Sequence, residues 1–468
     1  MTKKILALTL ALACASLLVS CGDDGSNSSE KSKKMNSSAN DDVANESDDS
    51  SSSVTETELL SIKPDSNRLC AYRDRTAFLS DSGALYVWGD SEISGYLGLG
   101  DWDTESKVPA KLMDNVASVS FGPTSSAAIT KDGALYTWGY NEYDELVTNF
   151  DSYTPVKVMD NVASVGLGAY YTAALTYDGE LYTWGSNEYG KAGIGRGKES
   201  SPSPVKIMDD VAFIFVETEA GYAIKKDGTL YAWGLNKFGG LGNGEQDNFY
   251  PYPIKIMDNV VSFYSNGVGS QGNRAAITAD GSLYSWGANE FAVVIPYFSD
   301  EIISKPTKVI DDVVSVDFGG SFCSALKSDG SLWTWGCNVN GRLGNGTDVN
   351  SAVPVKIMDD VVSFKMGDYF GSAIKKDGTL YMWGLGVYGE LGQGHNDKNN
   401  KEKGKNATES YSPVKVLDNV EAVSFGKKHV AAMTKDGNIY TWGDNEQGQL
   451  GDGTTSDSFV PIKVNIPQ

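Results

Sequence analysis

Trp-Gly occurs eight times in this 468-residue chain, at Trp88, Trp138, Trp184, Trp233, Trp286, Trp335, Trp383 and Trp442. Successive copies stand 46 to 59 residues apart. A period of that size marks a solenoid or a propeller, because a unit of about fifty residues cannot cover its own apolar faces and must stack on its neighbours. Each copy closes a phrase such as "TKDGALYTWG" (130–139), "TYDGELYTWG" (176–185), "KKDGTLYAWG" (225–234) or "TKDGNIYTWG" (434–443). A repeated site or a repeated building block would explain this, and the surrounding residues favour the block.

Every unit contains four strand-length segments in fixed order. In the second these are "VASVSFG" (116–122), "SSAAIT" (125–130), "ALYTWG" (134–139) and "TPVKVMD" (154–160). Gly 52 and Tyr 24 in the whole chain suit short strands joined by tight turns. Asp-Gly before the Trp-Gly strand predicts a hairpin, since both residues tolerate positive φ. Seven units have Asp-Gly, and the first has Ser82-Gly83 instead. Alternation puts Tyr136 and Trp138 on one face of the sheet and Leu135 and Thr137 on the other. Large aromatics on one face and mostly small residues on the other suit sheets stacked in series, with Trp138 packing toward the following blade. Alanine pairs such as Ala127-Ala128 and Ala431-Ala432 fill the preceding strand, which is expected where sheets converge on an axis. The expected fold is therefore all-β, a β-propeller of four-stranded blades, with eight blades and seven as the alternative. "FVPIKV" (459–464) is expected to pair with the N-terminal unit and close the ring.

A glycine-rich loop follows Trp-Gly, as in "NEYGKAGIG" (187–195), "NKFGGLGNG" (236–244), "NVNGRLGNG" (338–346) and "NEQGQLGDG" (445–453). Together with the Asp-Gly hairpin and the period, this loop resembles the regulator of chromosome condensation repeat over about residues 66–468. The resemblance implies a propeller, usually of seven blades. The founding member of that family is an exchange factor for a small GTPase and binds chromatin. That activity fits neither the charge nor the address of this chain, so what the resemblance implies here is a scaffold that presents binding surfaces.

Address and charge are read from the ends and the composition. Residues 1–20 have a basic start (Lys3, Lys4) and a short apolar core, as a lipoprotein signal peptide does. "LVSC" (18–21) resembles the lipobox of bacterial lipoproteins, which implies lipidation at Cys21, with an ordinary secretory signal as the alternative. Residues 21–57 are acidic and Ser-rich, a composition that forms a disordered tether. The propeller then occupies 58–468, extracytoplasmic and anchored to the membrane only by lipid. The net charge of -22, from 61 acidic and 39 basic residues, argues against nucleic acid as a partner. Two histidines leave few general bases or metal ligands. Cys323 and Cys337 stand at nearly opposite positions of one predicted hairpin, so a disulfide is one reading and two free buried thiols the other.

No motif asks for catalysis, a cofactor or a metal. "GVGSQG" (267–272) matches G-x-G-x-x-G but leads into a hairpin, whereas a dinucleotide site needs a following helix. Asp101, Asp103 and Glu105 alternate but lack the glycine and the distant glutamate of a calcium loop. The sharper signal is where the repeat breaks its own rule. The loops 140–153 and 289–303 lose their glycines and carry Tyr140, Tyr143, Phe150, Tyr153, Phe291, Tyr297 and Phe298. Trp102 stands in a polar loop outside the Trp-Gly series. Aromatics on loops serve as binding anchors. The expected function is a tethered binding module for a protein or a surface glycan, with an enzyme or enzyme inhibitor on the same ring as the alternative.

Overall fold

A computed structural model of the protein describes residues 68–90, 95–102, 104–266, 272–289, 293, 301–394 and 408–467. The expected signal (1–20) and tether (21–57), with Cys21, lie outside the described residues. Eight four-stranded sheets follow one another along the chain, each made of four consecutive strands in sequence order. The eight-bladed ring is the expected one. In blade 2 the strands are Val116–Phe121, Ser125–Thr130, Leu135–Gly139 and Ser152–Met159. The Asp-Gly hairpin forms, with a three-residue turn closed by Thr130 N on Ala134 O at 2.9 Å: Gly133 alone takes positive φ, +82, and its amide donates to Thr130 O at 2.8 Å.

First strands of neighbouring blades touch one another, those of the first and eighth blades included, so they surround the axis. The alanine-rich second strands stand one step further out and are buried along their whole length in blade 2. Alanine therefore answers the close approach of neighbouring sheets and not the axis itself. Fourth strands form the half-exposed rim. Each carries a proline, such as Pro155, Pro253 or Pro461, which removes an edge donor and blocks the addition of a further strand.

The Trp-Gly tryptophans join the blades, in the direction opposite to that expected. Each indole is 0% exposed and donates backward, to a carbonyl in the glycine loop of the preceding blade. Trp138 reaches Tyr96 O at 2.8 Å, Trp184 reaches Glu145 O at 2.8 Å, and Trp88 closes the ring on Gln449 O at 3.0 Å. The loop must then come close to the ring. At Gly242, with φ +82, a Cβ would lie 2.8 Å from Trp286 Nε1.

Two further expectations are corrected. Ser458–Lys463, which holds most of "FVPIKV", is the fourth strand of blade 8 and pairs with the strand before it, Tyr440 against Lys463. Among the described residues no strand crosses the closing seam. Single hydrogen bonds close it instead: Lys427 N donates to Arg73 O at 2.9 Å, Ala71 N to Ser424 Oγ at 2.9 Å and Tyr86 OH to Pro467 O at 2.8 Å, and Thr76 Oγ1 meets His429 Nε2 at 2.8 Å. Cys323 and Cys337 are free and buried. The three-residue turn Ser328-Asp329-Gly330 sets Cys323 opposite Trp335, and Cys337 N donates to Ser321 O. The thiols are staggered by two residues, and such a diagonal lies beyond disulfide reach.

Candidate functional site

The chain visits one end of the ring at its hairpins and at the turns between blades, and the other end at the glycine loops and the turns between first and second strands. The hairpin face is nearly uniform. Seven blades place a lysine three residues before an aspartate, as in Lys157–Asp160 at 2.7 Å and Lys308–Asp311 at 2.7 Å. Asn115 and Asn419, both at φ +60, donate to the hairpin aspartate of the next blade, Asp132 and Asp436. An open groove of about 670 Å³ between blades 4 and 5 is lined by Lys255, Asp258 and Asp280 of this repeating pattern, so it is a product of the repeat.

The loop face varies. A glycine loop has two left-handed positions three residues apart, filled in blade 3 by Gly190 at φ +74 and Gly193 at φ +69. In blade 2 the same two positions hold Asp144 at φ +67 and Val147 at φ +62. Asn141 anchors this loop as Asn187 anchors its counterpart, each accepting the amide five residues on. Loop 140–151 has thus lost the glycines and kept the left-handed turn at these two positions. A valine in that region costs about 1–2 kcal/mol, and Val147 recovers part of it by packing on the cluster around Trp184.

On this retained backbone the surface is different. Tyr143 lies 5.0 Å from Tyr170, ring centre to ring centre, and Tyr140 lies 6.1 Å from Tyr170, each pair tilted by 59°. Tyr170 belongs to blade 3, in the turn after its first strand, at φ +65, with its amide on Thr124 Oγ1 at 3.2 Å. The Tyr140 hydroxyl donates to Glu142, which holds that phenol above its usual range. Beneath them Glu145 is 0% exposed. Burial pushes its carboxyl up to about 7, although its Oε2 accepts the Tyr143 amide at 3.0 Å. Lys191 Nζ sits 5.6 Å from the Tyr170 ring, and burial lowers that lysine.

Of the residues expected to bind a partner, Tyr140 and Tyr143 come together here. Phe150, 81% exposed, stands at the tip of the same loop. Tyr153 enters the fourth strand of blade 2 and packs on Gly95 of blade 1, which leaves it half-buried. Trp102 is 48% exposed on the blade 1 loop. Phe291, Tyr297 and Phe298 lie outside the described residues. Tyr170 was missed because "GAYY" reads as an ordinary turn. Its signal was an aromatic pair where the neighbouring unit has "GPTS".

A second polar cluster joins blades 4 and 5. Arg274 pairs with Glu217 and Tyr222, all buried, and takes up the space that Gly240 leaves empty. It is internal, and it holds two blades together.

Comparison with known proteins places this architecture. The model of the regulator of chromosome condensation (RCC1) repeat matches residues 178–223, 227–265, 329–374, 377–433 and 436–468. A second model of that repeat matches 116–145, 162–191, 313–342 and 420–449, and together the two cover more than half of the chain. The chain is 43% identical over 79 residues to the mitochondrial RCC1 domain-containing protein RUG3 of Arabidopsis thaliana, which is 15% of this chain and 18% of that one. It is 33% identical over 101 residues to the mouse X-linked retinitis pigmentosa GTPase regulator, 20% of this chain and 10% of that one. The chain thus spans less than a fifth of the length of these relatives. Human WBSCR16 shares the fold at TM-score 0.54 and 20% identity, over 82% of this chain and 94% of that one. Prp20p of Saccharomyces cerevisiae, a protein with binding properties to Gsp1p and histones, does so at TM-score 0.52 and 19% identity, over 88% of both chains. From its repeat and its ring of blades, the chain belongs to the regulator of chromosome condensation (RCC1) repeat family.

Proposed function

We propose that the protein is a binding module, held outside the cytoplasm by lipid on Cys21, that captures a partner protein on its loop face at blades 2 and 3. One observation carries this reading. The loop that departs from the repeat keeps a strained backbone, and that backbone presents Phe150 at the surface and Tyr143 beside Tyr170. Strain of that kind persists where the surface it presents is used. A protein suits the site better than a glycan, because rings tilted by 59° offer no flat platform for a sugar. Protein binding by Prp20p on a similar ring adds support by analogy. The address rests on the N-terminal sequence "LVSC".

The test is quantitative capture from the native cell surface with the intact protein and with a Tyr143→Ala, Phe150→Ala double variant. The intact protein should enrich a defined partner and the double variant should lose it. Equal capture by both would discard the loop-face assignment. Cys21→Ser should abolish incorporation of labelled fatty acid and release the protein from the membrane fraction; retention of the label would discard the anchor.

A further inference from the structure

We infer that the tyrosine corner between blades 2 and 3 receives a lysine or arginine side chain of the partner protein, an inference that rests on the loop-face reading above. Three rings meet there at 59°, with centres 5.0 and 6.1 Å apart. Rings so tilted do not stack face to face, so each keeps π surface for another group, and a π face attracts a cation. The chain itself supplies a precedent in Lys191, whose ammonium lies 5.6 Å from the centre of Tyr170. Tyr143 is 40% exposed and has no such cation among the described residues.

The carboxylates point the same way. Seven lysines on the hairpin face neutralise the aspartates beside them. Glu142 and Glu145 form no salt bridge among the described residues. Glu145 is buried beneath the rings, with the Thr124 hydroxyl beside its carboxyl. Glu142 is the exposed carboxylate of the corner, so an incoming cation meets it at the surface. Tyr170 lies within electrostatic range of Glu142, Tyr143 and Glu145 together, so rings and carboxylates act on one spot. A chain of net charge -22 also draws a basic partner toward it from a distance.

The test titrates Nα-acetyl-lysine amide, Nα-acetyl-arginine amide and the uncharged Nα-acetyl-norleucine amide into the full chain, followed by saturation-transfer NMR on the probe. The charged probes should bind about tenfold more tightly than norleucine. Tyr143→Leu and Tyr170→Leu should each weaken them about fivefold, while Tyr143→Phe and Tyr170→Phe, which keep the ring, should bind as the parent does. Glu142→Gln should weaken binding about threefold, and Asp132→Asn on the hairpin face should leave it unchanged. Equal affinity for norleucine, or unchanged binding by Tyr143→Leu, overturns the site. Equal weakening by Asp132→Asn and Glu142→Gln also overturns it, by reducing the attraction to bulk charge. If the probes fail to discriminate while partner capture still depends on Tyr143 and Phe150, the cation site falls and the loop-face reading stands.

Discussion

The hairpin face and the loop face are made by the same eight units and have diverged to different degrees. On the hairpin face a Lys-Asp pair recurs in seven blades, exposed and self-neutralising. On the loop face the chain buries charged groups, Glu145, Lys191, Glu217, Arg274 and Glu390 among them, in a different combination at each junction. Among the described residues the two left-handed loop positions recur from blade to blade, with Asp144 and Val147 where blades 1, 3, 4, 6, 7 and 8 have glycine. Side-chain chemistry has therefore varied on one face while the fold constrained both. Variation on an invariant frame is what a binding surface needs.

The largest effect is expected where the faces share a structural element. Trp184 is fully buried and ties blade 3 to the loop of blade 2. Trp184→Ala should cost about 3–5 kcal/mol in urea unfolding. A loss under about 1 kcal/mol would mean that the Trp-Gly ring is not what joins the blades.

A pair of swaps sharpens the comparison between a kept and a lost glycine. Gly242→Val forces a side chain into a left-handed position 2.8 Å from Trp286 Nε1 and should destabilise by about 2–4 kcal/mol. Val147→Gly should stay within about 1 kcal/mol of the parent, since relief of the backbone offsets lost packing. A gain from Val147→Gly as large as the loss from Gly242→Val would show that blade 2 is only a strained copy.

Buried acids on the loop face give a pH signature opposite in sign to that of the hairpin-face aspartates, which hydrogen bonds hold below their ordinary 3.8. Burial pushes Glu390 up to about 7 from an ordinary 4.5. The folded state then holds a proton that the unfolded chain has released, so this contribution is full below about 4.5 and is lost as pH rises through about 7. Glu390→Gln should flatten the urea midpoint across that window and leave the variant about 2 kcal/mol more stable than the parent at pH 8. His429 at the seam acts with the opposite sign. Burial pushes it down to about 3, so its contribution falls as pH drops below 6.5. A pH profile unchanged by Glu390→Gln would remove the contrast between the faces. The smallest effect is expected at Lys308, whose salt bridge with Asp311 is exposed. Lys308→Ala should leave the thermal midpoint unmoved, and a clear shift would give the hairpin-face pairs a weight that such pairs ordinarily lack.

Much of this was legible from one repeat. Asp132-Gly133 marks a hairpin because only a few residues accept positive φ, and "ALYTWG" marks a strand because its alternation is local. The repeat-breaking loop 140–153 was also visible, and it led to Tyr140 and Tyr143. Its partner Tyr170 was not, because it comes from the next blade and the contact depends on how two sheets dock. The possible disulfide failed for a similar reason: sequence spacing brought Cys323 and Cys337 near one another, while register decided by two residues that they stay apart.

The sequence by itself determined the unit, its four strands, its turns and the number of copies, all of which follow from short-range periodicity and backbone preference. Only the tertiary structure decided which way each tryptophan points, how the ring closes and which tyrosines meet. Those outcomes join residues of different blades, 353 positions apart at the Thr76–His429 contact. Nothing in the local pattern distinguishes the preceding neighbour from the following one until the sheets are packed.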